Sequence, residues 1–172
     1  DIMEINLGID FGGSSSGHSF TATAITRSFQ NVVALASERI PCKDQNGNVI
    51  EIDPQTLGNR FCDFVQKILS RYGYVTAVYA DSAEQTLIAG IRSSLRKHGI
   101  GWIRVENALK TEINDRINAT AILMAQGRFF YAEKECGSLE NALCTAVWDP
   151  KELTKNVRLD DGSSDIDSLD SF

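Results

Sequence analysis

The chain has 172 residues, 42% hydrophobic and 23% charged, with 17 Lys and Arg against 23 Asp and Glu and a formal net charge of −6. That composition is ordinary for a soluble globular protein and predicts a single domain over residues 1–172, long enough to bury a core. No apolar run approaches the roughly 20 residues that span a bilayer, and Asp1-Ile2-Met3-Glu4 lacks the basic start of a secretory signal.

A negative balance argues against nucleic acid as a partner, but the charge is uneven. Beyond Arg158 there is no Lys or Arg, while Asp160, Asp161, Asp165, Asp167 and Asp170 follow. Removing these five from 23 leaves 18 acidic against 17 basic residues over 1–158, a net of −1. The acidity belongs to a short tail, which is either solvated or holds something positive.

Ile5, Leu7 and Ile9 alternate with polar residues or glycine, predicting a strand over 4–11. A Ser/Gly turn (12–17) leads to strands near 18–27 and 31–40, and Asn46-Gly47 marks a hairpin or loop within 40–52. Asp53-Pro54 opens a helix that carries Leu57, Phe61, Phe64, Val65, Ile68 and Leu69 and ends at Gly73. Strands at 75–80, 102–105 and 129–131 alternate with helices marked by Leu87 to Leu95, Ile113 to Met124 and Leu139 to Val147. Residues 151–162 read as a loop, and a last helix is expected from about Ser164. Three meandering strands followed by alternating helices and strands predict an α/β fold, a mixed sheet with helices on both faces.

Cys42, Cys62, Cys136 and Cys144 form no C-x-x-C pair and are expected to be buried free thiols.

Four acidic residues stand out. Asp10 ends the first strand, on the face opposite Ile5, Leu7 and Ile9, and the glycines after it leave room for a ligand; an Asp before a turn also has local uses. Asp81 follows an apolar strand at the carboxyl end, where open α/β sheets bind ligands. With Glu84 it could instead form a capping box. Asp167 and Asp170, three apart, share a helix face, whereas Asp165 points elsewhere. One carboxylate on each of two strands and one or two on a terminal helix suit Mg²⁺ or Mn²⁺, and two such ions could clamp a phosphodiester during in-line displacement.

Four stretches, Gly8–Gly13, Tyr79–Gln85, Lys110–Arg116 and Arg158–Asp170, resemble in order the nuclease domain of the large terminase subunit of tailed double-stranded DNA bacteriophages. The resemblance covers nearly the whole chain. It implies an RNase H-like fold of the resolvase/integrase superfamily, with three antiparallel strands followed by parallel ones. It implies an endonuclease that cuts concatemeric viral DNA during genome packaging with two divalent ions held by Asp10, Asp81 and Asp170. Its context would be the host cytoplasm, with terminase small subunit and portal protein as partners of the full-length enzyme. Many members carry His where this chain has Asp167, leaving Asp167 an extra ligand or an electrostatic modulator. No G-x-x-x-x-G-K-[ST] motif is present, so the packaging ATPase is not in this chain.

Lys110, Arg116, Arg92 and Arg96 are candidate phosphate contacts, and equally candidates for a solvated helix face. The 42–50 loop is a candidate gate or an ordinary hairpin. His18 is a candidate neighbour of the site, and His98 a helix-end residue. The isolated domain is expected to be a monomer that binds DNA mainly with metal present. Two other readings remain. One is an actin- or sugar-kinase-like nucleotide-binding fragment, suggested by Ile9 to Ser15. The other is a non-catalytic docking module of the packaging motor.

Overall fold

A computed structural model describes residues 1–13, 16–44, 46–50, 52–151, 158–159 and 166–172. Asp160, Asp161, Asp165 and Ser164, the expected start of the last helix, lie outside the described residues. Strands β1 (Ile2–Asp10), β2 (His18–Thr26) and β3 (Val32–Ile40) come first. They are followed by α1 (Pro54–Tyr72), β4 (Ala77–Ala80), α2 (Gln85–Lys97), β5 (Val105–Asn107), α3 (Ile113–Ala125), β6 (Phe129–Tyr131), α4 (Gly137–Thr145) and α5 (Asp167–Asp170). The six strands form one sheet in the order β5-β4-β1-β2-β3-β6. β1, β2 and β3 pair antiparallel, whereas β4 and β5 on one flank and β6 on the other pair parallel. This is the mixed α/β sheet the sequence predicts.

Strand alternation sorts the side chains between two faces. Ile5, Leu7 and Ile9 of β1, with Phe20, Ala22 and Ala24 of β2, pack in one cluster with Leu57, Phe61 and Val65 of α1 and Ile88, Ile91 and Leu95 of α2. Phe20 meets Phe61 edge-on at 5.1 Å between ring centres. On the other face Ala34 joins Cys136, just before α4, and Leu139 of α4, with Leu169 and Phe172 packed alongside.

Helix α1 forms as its ends dictate. Asp53 accepts hydrogen bonds from the Gln55 and Thr56 amides, Pro54 needs no partner in the first turn, and Gly73 closes the helix in the left-handed region at φ 87°. The Asn46-Gly47 signal also holds: Lys43 and Val49 bridge, and the Asp44 carboxylate accepts from the Asn46 and Asn48 amides.

Four expectations need correction. The strand placed at 102–105 forms at 105–107, because Ile100 and Ile103 turn inward to the core and leave Trp102 61% exposed. The fourth helix stops at Thr145, and Trp148 instead bridges to Arg158. Cys62 and Cys136 are buried, but Cys42 is only partly so and Cys144 is exposed, since its helix covers the sheet with the face that carries Leu139 and Ala142. The capping box after Asp81 does not form: Glu84 is the cap residue and makes no side-chain bond, while Asp81 accepts from the Ala83 amide in a tight turn.

Candidate metal centre

Sheet register creates the site. Ile9 pairs with Ala80, so the next residue of each parallel strand, Asp10 and Asp81, emerges side by side at the carboxyl edge of the sheet. The third carboxylate arrives from the far end of the chain. Helix α5 lies across β1 and β2 so closely that a Cβ on Gly8 would sit 1.7 Å from the Ser171 carbonyl oxygen. Only glycine fits there, a use that glycine within a strand often signals.

Polar contacts fasten α5 in place. The Ser19 hydroxyl donates to the Asp167 carbonyl at 2.6 Å, and the Thr21 and Ser171 hydroxyls meet at 2.7 Å. The Asp167 residue is 6% exposed, and its carboxylate accepts from the Gly17 amide at 2.9 Å and Arg39 Nε at 2.7 Å. Arg116 of α3 donates to the Asp170 carbonyl at 2.9 Å and, more weakly, to that of Leu169 at 3.4 Å.

The result is a cleft of about 600 Å³ lined by Asp10, Asp81, Lys110, Arg116 and Asp170. Among the described residues no hydrogen bond or ion pair reaches the Asp10 carboxylate. Burial pushes its pKa up to about 7, aided by the charges of Asp170, Asp167 and Asp81 and opposed by that of Arg116. Asp81 has Lys110 Nζ at 3.6 Å, a loose pair with both side chains largely exposed. Asp170 is gripped: Arg158 Nη1 and Nη2 donate to its two oxygens, each at 2.8 Å.

Mg²⁺ or Mn²⁺ needs hard oxygen donors, and the chemistry of this set is right. An unpartnered, crowded Asp10 is a group that a cation would relieve. As the side chains stand, no three His, Cys, Asp or Glu among the described residues converge as a metal site. Asp170 turns both oxygens to Arg158.

The other candidates are placed as follows. His18 opens β2, and its Nδ1 accepts from the Gly12 amide at 3.1 Å, so the neutral ring carries its proton on Nε2. Burial lowers its pKa, against the raising effect of Asp167. Arg92 donates to the Val105 carbonyl at 2.7 Å, and Arg96 lies over Gly101. Both belong to α2, packed with α1 on the face opposite α5, so they stand apart from the carboxylates. His98 is at the end of α2, its Nδ1 2.9 Å from the Ser94 carbonyl. Sequence reasoning did not single out Arg158, Arg39 or the tight approach at Gly8. Of these only Gly8, a glycine inside a strand, carried a local signal.

No protein-family model matches the chain, and no curated protein is similar to it. Solved structures are. The large terminase of a thermophilic bacteriophage, in complex with ADP, superposes with a TM-score of 0.73 at 17% identity, covering 100% of this chain and 39% of that one. The nuclease domain of the large terminase of bacteriophage SPP1, with bound Mn, gives 0.61 at 16% identity over 98% of this chain and 84% of that one. This chain has the fold of a terminase nuclease domain. The human cytomegalovirus terminase nuclease domain shares it as well, at a TM-score of 0.61 and 12% identity over 96% of this chain and 79% of that one. The chain spans 39% of the length of the thermophilic phage terminase that it matches.

Proposed function

We propose that this chain is a divalent-metal-dependent endonuclease that cuts double-stranded viral DNA during genome packaging. The observation that carries the reading is the meeting of Asp10, Asp81 and Asp170 in one cleft on the terminase nuclease fold. Asp10 and Asp81 offer oxygens from adjacent strand ends, and Asp170 offers the third set from α5. When bound, Mg²⁺ or Mn²⁺ supplies Lewis-acid stabilisation of the phosphodiester and a more acidic water, so the chain needs no general base of its own. Arg116 and Asp167 act as positioning residues, holding the backbone that presents Asp170. Lys110, 70% exposed at the cleft rim, can turn from Asp81 to a DNA phosphate. A small subunit and a portal protein are the partners proposed for the full-length enzyme.

Incubating the purified chain with supercoiled plasmid and Mn²⁺ tests this. Nicked and linear products are expected, absent with EDTA and absent for Asp81→Ala. Intact plasmid across a wide range of protein concentration, with the fold verified, would leave the docking-module reading in its place.

A further inference from the structure

The three carboxylates of the cleft are not equally available. Among the described residues Asp10 has no partner and Asp81 accepts from the Ala83 amide with Lys110 loosely nearby, but Asp170 is held at both oxygens by a guanidinium fork, a charge-assisted bidentate pair. The pair is sheltered, with side-chain exposures of 11% for Arg158 and 25% for Asp170. Arg158 comes from behind. It lines an apolar cavity of about 480 Å³ with Leu143, Val147, Trp148 and Phe172, whereas Asp10 and Asp81 line the acidic cleft and not that cavity. Asp170 stands in the wall between the two, and Arg158 pulls its oxygens toward the cavity.

The fastening of the two partners differs. Asp170 belongs to a helix tied down at Ser19, Thr21, Gly17 and Arg39, with Arg116 on its own carbonyl. Arg158 is tied at its backbone by the bridge to Trp148 and the bond from the Leu159 amide to the Val147 carbonyl, while its buried Nε has no hydrogen-bond partner among the described residues. A buried donor left unsatisfied weakens the hold on that side chain. If the pair breaks, Asp170 stays and Arg158 moves.

We propose that Arg158 is a built-in competitor for the metal: its guanidinium neutralises Asp170 in the metal-free chain, and divalent ions load by displacing it. This rests on the metal-centre reading above. It explains how three cleft carboxylates coexist without an ion, and it makes loading an exchange of one cation for another.

Calorimetric titration of Mn²⁺ into the intact chain, without DNA, tests this, with Arg158→Gln, Arg158→Lys, Asp170→Asn and the double variant Arg158→Gln/Asp170→Asn. Arg158→Gln should bind Mn²⁺ about tenfold more tightly than the parent chain, the scale of one charge-assisted hydrogen-bonded pair removed from competition. Arg158→Lys keeps the charge without the fork and should fall between the two. In the double variant the gain should vanish, since Asp170 is then no longer the contested ligand. Unchanged or weaker Mn²⁺ binding in Arg158→Gln, while Asp170→Asn weakens it, would overturn the competitor and leave the metal centre standing. Absence of Mn²⁺ binding in every variant, Arg158→Gln included, would overturn both.

Discussion

Replacing Asp10 by Asn should stabilise the metal-free chain, although it removes a proposed metal ligand. Asp10 titrates near 7 in the fold against a reference of 3.8, because it is partly buried and faces Asp170, Asp167 and Asp81. A folded pKa above the unfolded one means that the native state binds the extra proton. The stability due to that proton is complete below 3.8 and is lost as pH rises to 7. Three units at about 1.4 kcal/mol each give an upper bound of ~4 kcal/mol above pH 7. Water reaching the cleft reduces this, and about 1–3 kcal/mol is expected, a rise in Tm of roughly 3–10 °C for a chain of this size. At pH 5 the gain should shrink to about a third, because most of the titration lies above that pH. Thermal unfolding of both proteins at pH 5 and pH 8 with EDTA measures it. Adding Mn²⁺ at pH 8 should reverse the order, since ligand binding stabilises only a chain that retains the site. An Asn variant less stable than the parent in EDTA at pH 8, or a difference that is the same at both pH values, would refute the electrostatic account of the cleft.

Other consequences can be measured by urea unfolding. Arg39→Ala leaves the buried Asp167 carboxylate, among the described residues, with the Gly17 amide alone and should cost about 2–4 kcal/mol, with Arg39→Ala/Asp167→Asn recovering part of the loss. Gly8→Ala drives a methyl into the Ser171 carbonyl; it should cost more than ~2 kcal/mol and weaken Mn²⁺ binding as α5 lifts from β1. Asp53→Ala removes the cap of α1 and should cost about 1 kcal/mol while leaving Mn²⁺ affinity unchanged, separating stability from the site. ATP should not raise the Tm in the absence of metal; a clear rise would favour the nucleotide-binding reading.

Elements whose ends carry their own chemistry were legible in the sequence. α1 has Asp53, Pro54 and Gly73, and β1 has strict alternation, so both appear where local pattern puts them. β5 was displaced because its position depends on pairing of Val105 with Val78 at the sheet edge, not on local alternation. α4 ended early because Trp148 found a partner in Arg158, beyond the reach of helical spacing. The same division runs through the site. Asp10 and Asp81 are readable as residues at the carboxyl ends of strands. The grip of Arg158 on Asp170, and that of Arg39 on Asp167, depend on how the tail folds back over the sheet. Lys110 and Arg116 were read as phosphate contacts, and in the fold they face Asp81 and the end of α5. Within the net charge of −6 the cleft and tail carboxylates are locally paired: Arg39 faces Asp167, Lys110 faces Asp81 and Arg158 faces Asp170. The acidity therefore does not exclude DNA.

The central claim is that Asp10, Asp81 and Asp170 together hold divalent cations. Anomalous diffraction from a crystal of the chain soaked in Mn²⁺ tests it most directly. The account predicts two peaks about 3.5–4 Å apart among the three carboxylates, with Arg158 turned away from Asp170. A soaked crystal with no peak in the cleft and the Arg158–Asp170 pair intact would contradict it.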